Sequence, residues 1–148
     1  VATPPRVIGA SMDTVTRERR SEIMSRVRSR GTRPEMTVRR LVHGLGFRYR
    51  LHGKQLPGRP DLVFPARLKV IFVHGCFWHR HPGCPLARTP KSRVDFWRAK
   101  LEGNRERDLV KQRELGELGW RLLVVWECEL NDLDLVAGRV TGFLRDHP

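Results

Sequence analysis

The chain has 148 residues, with 29 lysines and arginines against 16 aspartates and glutamates, a formal net charge of +13 and a pI near 11.2. That length holds one domain with a core of ordinary size, and the charge, beyond what solubility asks, points to a polyanionic partner, nucleic acid before any other. The sequence has no apolar run near the roughly 20 residues of a membrane span, no secretory apolar core at its start, and no clear signal of the basic amphipathic helix or lipid anchor that an anionic membrane surface would want; three cysteines, an odd count, argue against a disulfide framework.

A cytoplasmic protein is therefore expected. Residues 1–16 mix Pro, Gly, Ala, Ser and Thr without periodicity and read as a flexible lead-in. Residues 17–30 turn abruptly arginine-rich, with Ile23, Met24 and Val27 at helical spacing, and predict a short basic helix. That face is either solvated or a DNA-backbone arm, and the global charge favours the arm. A second helix starts at Thr32, with Pro34 in the first turn and Glu35 three residues after the threonine, the capping-box spacing. Val38, Leu41, Val42 and Leu45 form its apolar face, and Gly44 and Gly46 end it. Glu35 is explained by capping alone, yet a carboxylate there could equally reach a metal-bound water. Residues 47–52 alternate Phe, Tyr and Leu with Arg, Arg and His, as a half-exposed strand would.

Residues 56–84, LPGRPDLVFPARLKVIFVHGCFWHRHPGC, carry a mixture that core-building does not ask for. Asp61 follows Gly58-Arg59-Pro60 and precedes Leu62, Val63 and Phe64, so a turn becomes a buried strand at a carboxylate. Residues 68–73 form a second β-branched run that can pair with the first as a hairpin, and His74 ends it before Gly75. A carboxylate on one strand then faces imidazoles at the end of its neighbour, as a metal-dependent hydrolytic site requires; the plain alternative is a turn-capping aspartate.

Beyond Cys84, a helix is predicted to start near Ser92 and to break at Gly103-Asn104. A following helix is predicted with Leu109, Val110, Leu115 and Leu118 as its apolar stripe. Residues 121–126 (RLLVVW) read as a buried strand, and a last helix over residues 133–144 presents Leu133, Val136, Val140 and Phe143 or Leu144 to the core. Helix, strand, strand, strand, helix, strand, helix predicts an α/β sandwich with a small mixed sheet between helices; no Gly-rich phosphate loop is present.

Cys76, His81 and Cys84 are spaced C-x4-H-x2-C, and Cys128 follows a core strand. Four such ligands would make a closed structural zinc site; buried thiols beside a surface histidine are the alternative. Phe77-Trp78 and Phe96-Trp97 are either core or, in a basic protein, side chains that stack on or wedge between bases. The wedge reading is favoured for Phe77 and Trp78, is weaker for Trp97 and does not extend to Phe96.

Taken together, GRPDLVF, VIFVHGCFWHRH, FW, GN-ERD and LGWRLLVVWEC resemble the very short patch repair endonucleases, from about Arg20 to Cys128. The resemblance implies a restriction-endonuclease-like fold, Mg²⁺-dependent nicking of one strand of duplex DNA beside a T:G mismatch left by deamination of 5-methylcytosine, and a structural Zn²⁺. It implies Asp61 as metal-binding carboxylate with the Val73 carbonyl, His74 and His79 as active-site histidines, and Glu35 as supporting acid. Cys76, His81, Cys84 and Cys128 become the Zn²⁺ ligands; Met24, Arg30, Phe77, Trp78, Trp97 and Asn104 become DNA contacts. A monomer acting in the bacterial cytoplasm at the nucleoid, with downstream repair proteins as further partners, is the corresponding expectation, and residues 17–148 form its endonuclease domain. The chain departs from the family pattern at Val73, where threonine is expected, at Arg80, which interrupts the histidine run, and at Pro82-Gly83, which lengthen the cysteine loop. Two rivals remain: a sequence-specific restriction-type endonuclease on unmodified duplex, and a non-catalytic zinc-stapled DNA-binding module.

Overall fold

The structure, a computed structural model, describes residues 31–146. The basic segment of residues 17–30, with Met24 and Arg30, lies outside the described residues, as does the lead-in before it. Helix α1 spans Arg33–Gly44, strand β1 Arg50–Leu51, β2 Leu62–Phe64, β3 Lys69–His74, helix α2 Val94–Glu117, β4 Arg121–Trp126 and helix α3 Leu133–Arg145. The predicted order of elements is the observed one. No helix among the described residues is long and apolar enough to cross a membrane.

The sheet has the order β1-β2-β3-β4, antiparallel up to β3 and parallel between β3 and β4. β2 and β3 are the predicted hairpin, closed by a tight helical turn over Pro65–Arg67 and by Leu68 at φ +54°. Side chains alternate across a strand, so Leu62, Phe64, Ile71 and Val125 meet Val38 and Val42 of α1 and Val136, Val140 and Leu144 of α3 on one face. Val63, Val70 and Phe72 meet Leu115 of α2 on the other. Each fully buried aliphatic side chain contributes about 1.5–3 kcal/mol, which makes the sheet a rigid frame for whatever its ends carry.

Four details differ from the sequence-based expectation. Strand β1 shrinks to two exposed residues because Phe47 is spent on the core and His52 turns out of the strand at φ +51°. Strand β4 is an edge, so RLLVVW is only half-buried, with Val125 alone fully covered. Helix α2 begins after Arg93 rather than at Ser92 and runs unbroken through Gly103-Asn104, because the Asn104 side chain bonds elsewhere and does not compete for its own backbone. Its buried positions are Leu101 and Leu115; Leu109 is 52% exposed and Leu118 61%. In α3, Leu133 is exposed and Leu144 is the buried member of the terminal pair.

Candidate active site

Strand parity places the site. Asp61 shares the parity of Val63, and His74 that of Val70 and Phe72, so both side chains project toward the α2 face of the sheet. Gly58 holds the preceding turn at φ +80°, where an added Cβ would meet the Phe72 ring at 3.1 Å, so only glycine fits the turn that presents Asp61. Asp61 Oδ2 accepts the Val73 N–H at 2.7 Å. Burial pushes the Asp61 carboxyl up to about 6, against the Val73 hydrogen bond that favours its ionised form. Val73, expected to contribute its carbonyl, thus touches Asp61 through its amide.

Beyond β3 the chain folds back on itself: the His79 N–H returns to the Gly75 carbonyl at 3.1 Å, and the His79 ring stacks on His74 with centroids 3.8 Å apart and planes 6° apart. His79 Nδ1 lies 2.6 Å from Asp108 Oδ2 on α2. Burial first, and then His79, hold the His74 imidazole down to about 3, so its ring is neutral at working pH. His74 Nδ1 is buried with no hydrogen-bond partner among the described residues. Two stacked imidazoles are compatible here because one of them carries no charge.

Glu35 is 2% exposed and fully engaged. Its Oε1 accepts the Gly31 N–H at 2.9 Å; its Oε2 accepts from Arg39 Nη2 at 2.7 Å and lies 2.8 Å from His52 Nε2. Burial works to raise its carboxyl, but the bonds from Gly31, Arg39 and His52 prevail and leave it below the ordinary value. The cap at Thr32 is real, since Thr32 Oγ1 accepts the Glu35 N–H at 3.4 Å, but Glu35 reaches back to Gly31 rather than to Thr32.

Glu35, His52, Asp61, His74, His79 and Asp108 line one cleft of about 570 Å³. Trp78 forms part of its rim and packs edge-on with Phe77 at 5.0 Å and tilted against Trp97 at 6.0 Å. Asn104 joins that rim to α2: its Nδ2 donates to the Trp78 carbonyl at 3.1 Å, and its Oδ1 accepts from Arg107 at 2.6 Å. Phe96, 40% exposed, packs edge-on against Trp97 at 5.2 Å and lies beneath the Arg93 guanidinium.

Beside the cleft, Cys76, His81, Cys84 and Cys128 bring their ligand atoms within 4.8 Å of one another. Cys76 Sγ and Cys128 Sγ lie 3.6 and 3.5 Å from His81 Nδ1, and all three cysteines are free thiols. Burial and its cysteine neighbours push the Cys76 thiol up to about 12, and burial likewise raises Cys128. Three thiols crowded on an imidazole fit a soft divalent cation, which a tetrahedral S₃N set would hold with every position filled. His81 is braced by stacking on Trp126 at 4.2 Å.

Comparison with known proteins decides the family. Residues 12–84 match the family described as DNA mismatch endonuclease Vsr. A type II nicking enzyme, V.XorIIP of Xanthomonas oryzae pv. oryzae, is 53% identical over 132 residues, covering 89% of this chain and 96% of that protein. The DNA mismatch endonuclease Vsr of Escherichia coli is 45% identical over 111 residues, covering 75% of this chain and 70% of that protein. The chain belongs to the Vsr family. Its fold also matches the catalytic domain of the homing endonuclease I-Bth0305I, with a TM-score of 0.52 at 22% identity over 76% of this chain and 94% of that one.

Among the residues of this Vsr-family cleft, sequence reasoning missed Asp108, Arg107 and His52. The false helix break hid the first two: on a continuous α2, Asn104 and Asp108 are one turn apart on one face. His52 was hidden by a strand alternation that assigned it to solvent. The cleft also fits a hard divalent cation. Asp61 is a half-buried carboxylate at its wall, and the His74 Nδ1, without a partner among the described residues and beside His79 and Asp108, is a polar atom that a metal-bound water would satisfy.

Proposed function

We propose that this DNA endonuclease of the Vsr family nicks one strand of duplex DNA beside a T:G mismatch, the product of 5-methylcytosine deamination, by Mg²⁺-dependent phosphodiester hydrolysis. The observation that carries the reading is the Asp108–His79 pair stacked on a neutral His74, in one cleft with the half-buried Asp61 and an aromatic rim. Asp61, with the Val73 carbonyl, would hold Mg²⁺, which when bound supplies Lewis-acid polarisation of the scissile phosphate.

The remaining work falls to side chains. Asp108 fixes the His79 tautomer with its proton on Nδ1, which leaves Nε2 as the base that takes the proton of the attacking water. The water oxygen bonds to phosphorus, the P–O3′ bond breaks, and the 3′ oxygen leaves with a proton from solvent. His74, neutral and buried, keeps its lone pair for ordered water. Phe77, Trp78 and Trp97, with Asn104 at their base, open the base step, which a mismatch makes cheaper to unstack. Met24 and Arg30 would contact the same DNA from the basic arm. In this reading the cysteine–histidine centre holds Zn²⁺ and fixes the aromatic loop to the end of β4.

The test is a panel of duplexes, T:G against T:A at the same position, with Mg²⁺ or with Ca²⁺. Nicking of T:G duplex alone, with Mg²⁺ alone, is the expected result. Equal cleavage of matched duplex would replace this reading by a restriction-type endonuclease. Tight binding without any cleavage would replace it by a DNA-binding module.

A further inference from the structure

His52 is held by both of its ends. Its backbone N–H donates to the Asp61 carbonyl at 3.0 Å, and its ring Nε2 meets Glu35 Oε2 at 2.8 Å. One residue thus bridges the strand entry that carries the metal-binding carboxylate and the first turn of α1. It does so at φ +51°, a left-handed conformation in which a histidine is uncommon and glycine or asparagine would be at ease. The ring lines the cleft itself. A strained backbone that delivers a side chain to a buried carboxylate in a cleft is a cost that the local fold does not explain.

We propose that His52 is a positioning residue of the metal site: it orients Glu35 and ties it to Asp61, so that the two carboxylates face one divalent cation at a fixed separation. Resting on the metal-dependent reading above, the inference adds a residue beyond the ligand and base assigned there. Arg39 binds the same Glu35 oxygen from within α1, so it holds the carboxylate to its own helix. Among the described residues, only His52 links that carboxylate to the Asp61 strand. Outer-sphere partners of this kind change metal affinity or activity by about 10–100-fold when removed.

The experiment compares His52→Ala, His52→Asn and His52→Gln by Mn²⁺ titration of the DNA-free protein, read from the free-ion EPR signal, and by the Mg²⁺ concentration that gives half-maximal nicking. Mn²⁺ prefers oxygen ligands over the thiol centre, and Asp61→Asn supplies the baseline for ions bound elsewhere. Glutamine places an amide N–H near the position of Nε2, whereas asparagine reaches only as far as Nδ1. Asparagine, however, tolerates the left-handed backbone at least as well as histidine. The Ala and Asn variants should bind Mn²⁺ at least about tenfold more weakly, with the Mg²⁺ requirement moving in parallel and with metal-free DNA affinity unchanged. Gln should stay close to wild type. Thermal melting of each variant beside the titration separates the causes: an Asn variant that is fully folded at the titration temperature yet binds Mn²⁺ weakly has lost the metal site and not the fold. Wild-type metal affinity in the Ala and Asn proteins, or a Gln variant as weak as Asn, would overturn the inference. A wild-type protein that binds Mn²⁺ at Asp61 but nicks no duplex would remove the proposed function while leaving this test standing.

Discussion

Strand β3 buries a titratable group at each end, and the two ends are treated in opposite ways. At its start, Lys69 is 2% exposed, and its Nζ donates to the carbonyls of Phe143, at 2.6 Å, and Asp146. Those carbonyls belong to the end of α3, where Arg67 also donates to the Leu144 carbonyl at 2.8 Å, so the hairpin caps the helix. At its other end, His74 is as well buried, yet its Nδ1 has no partner among the described residues. The first arrangement closes on itself and needs nothing from outside. The second is left open toward the cleft, which is how a strand can serve as core at one end and as a reaction site at the other.

Breaking the open end should have the largest effect. Asp61→Asn keeps an acceptor for the Val73 N–H but removes the charge proposed to hold a cation, so single-turnover nicking should fall by about 10³-fold or more, roughly 4 kcal/mol in the barrier. Binding to DNA should change little, since the proposed reading assigns it to arginines and aromatics. Nicking at the wild-type rate would show that the cleft is not the reaction site. The next effect is on the fold: Cys128→Ser opens the S₃N set beside His74, and because metal binding is folding free energy in such centres, melting should drop by about 10 °C or more with loss of stoichiometric zinc. Metal analysis finding no zinc in the wild-type protein would remove that expectation.

The closed end should answer differently. Lys69→Ala takes the ammonium donor from the Phe143 carbonyl at the end of α3 and empties the space of the lysine stem, a destabilisation of about 3 kcal/mol. The nicking rate per folded molecule should be unchanged, and a matched loss of activity would show that the two ends of β3 are coupled.

How legible these ends were in the sequence follows from the same contrast. The frame was readable because its signals are local: the β-branched runs of β2 and β3, the Pro-Ala-Arg turn and the cap at Thr32 each depend on near neighbours. Asp61 and His74 stood out because polar residues bound apolar strands there, and the resemblance added His79 in the loop beyond. Asp108 and His52 did not, since each owes its place to a distant partner, 29 residues away for Asp108 and 17 for His52. The exposed Leu109 and Leu118 failed for the complementary reason: an apolar stripe marks a buried face only if the fold supplies something to cover it, and α2 buries Leu101 and Leu115 instead, Leu115 against the sheet.

The smallest effect, a pH slope, tests whether Asp61 and His74 share one environment. Asp61 is an acid raised from 3.8 to about 6, so between those values the folded protein holds a proton that the unfolded chain releases. Its burial therefore costs stability above about pH 6, and the cost is lifted as pH falls toward 3.8. His74 is a base lowered from 6.5 to about 3, so in nearly the same window the folded protein lacks a proton that the unfolded chain takes up, and stability is lost as pH falls through 6.5. The two slopes oppose each other. In Mg²⁺-free buffer the wild-type urea midpoint should therefore be nearly flat between pH 6 and 4.5, where these two groups dominate. Asp61→Asn removes one of them, so this variant should be the more stable protein at pH 7 and should then lose about 1 kcal/mol per pH unit on acidification, the signature of His74 alone. Parallel wild-type and variant curves would mean that Asp61 is solvated and ionised like a surface carboxylate, and with that the contrast between the open and the closed end of β3 would fail.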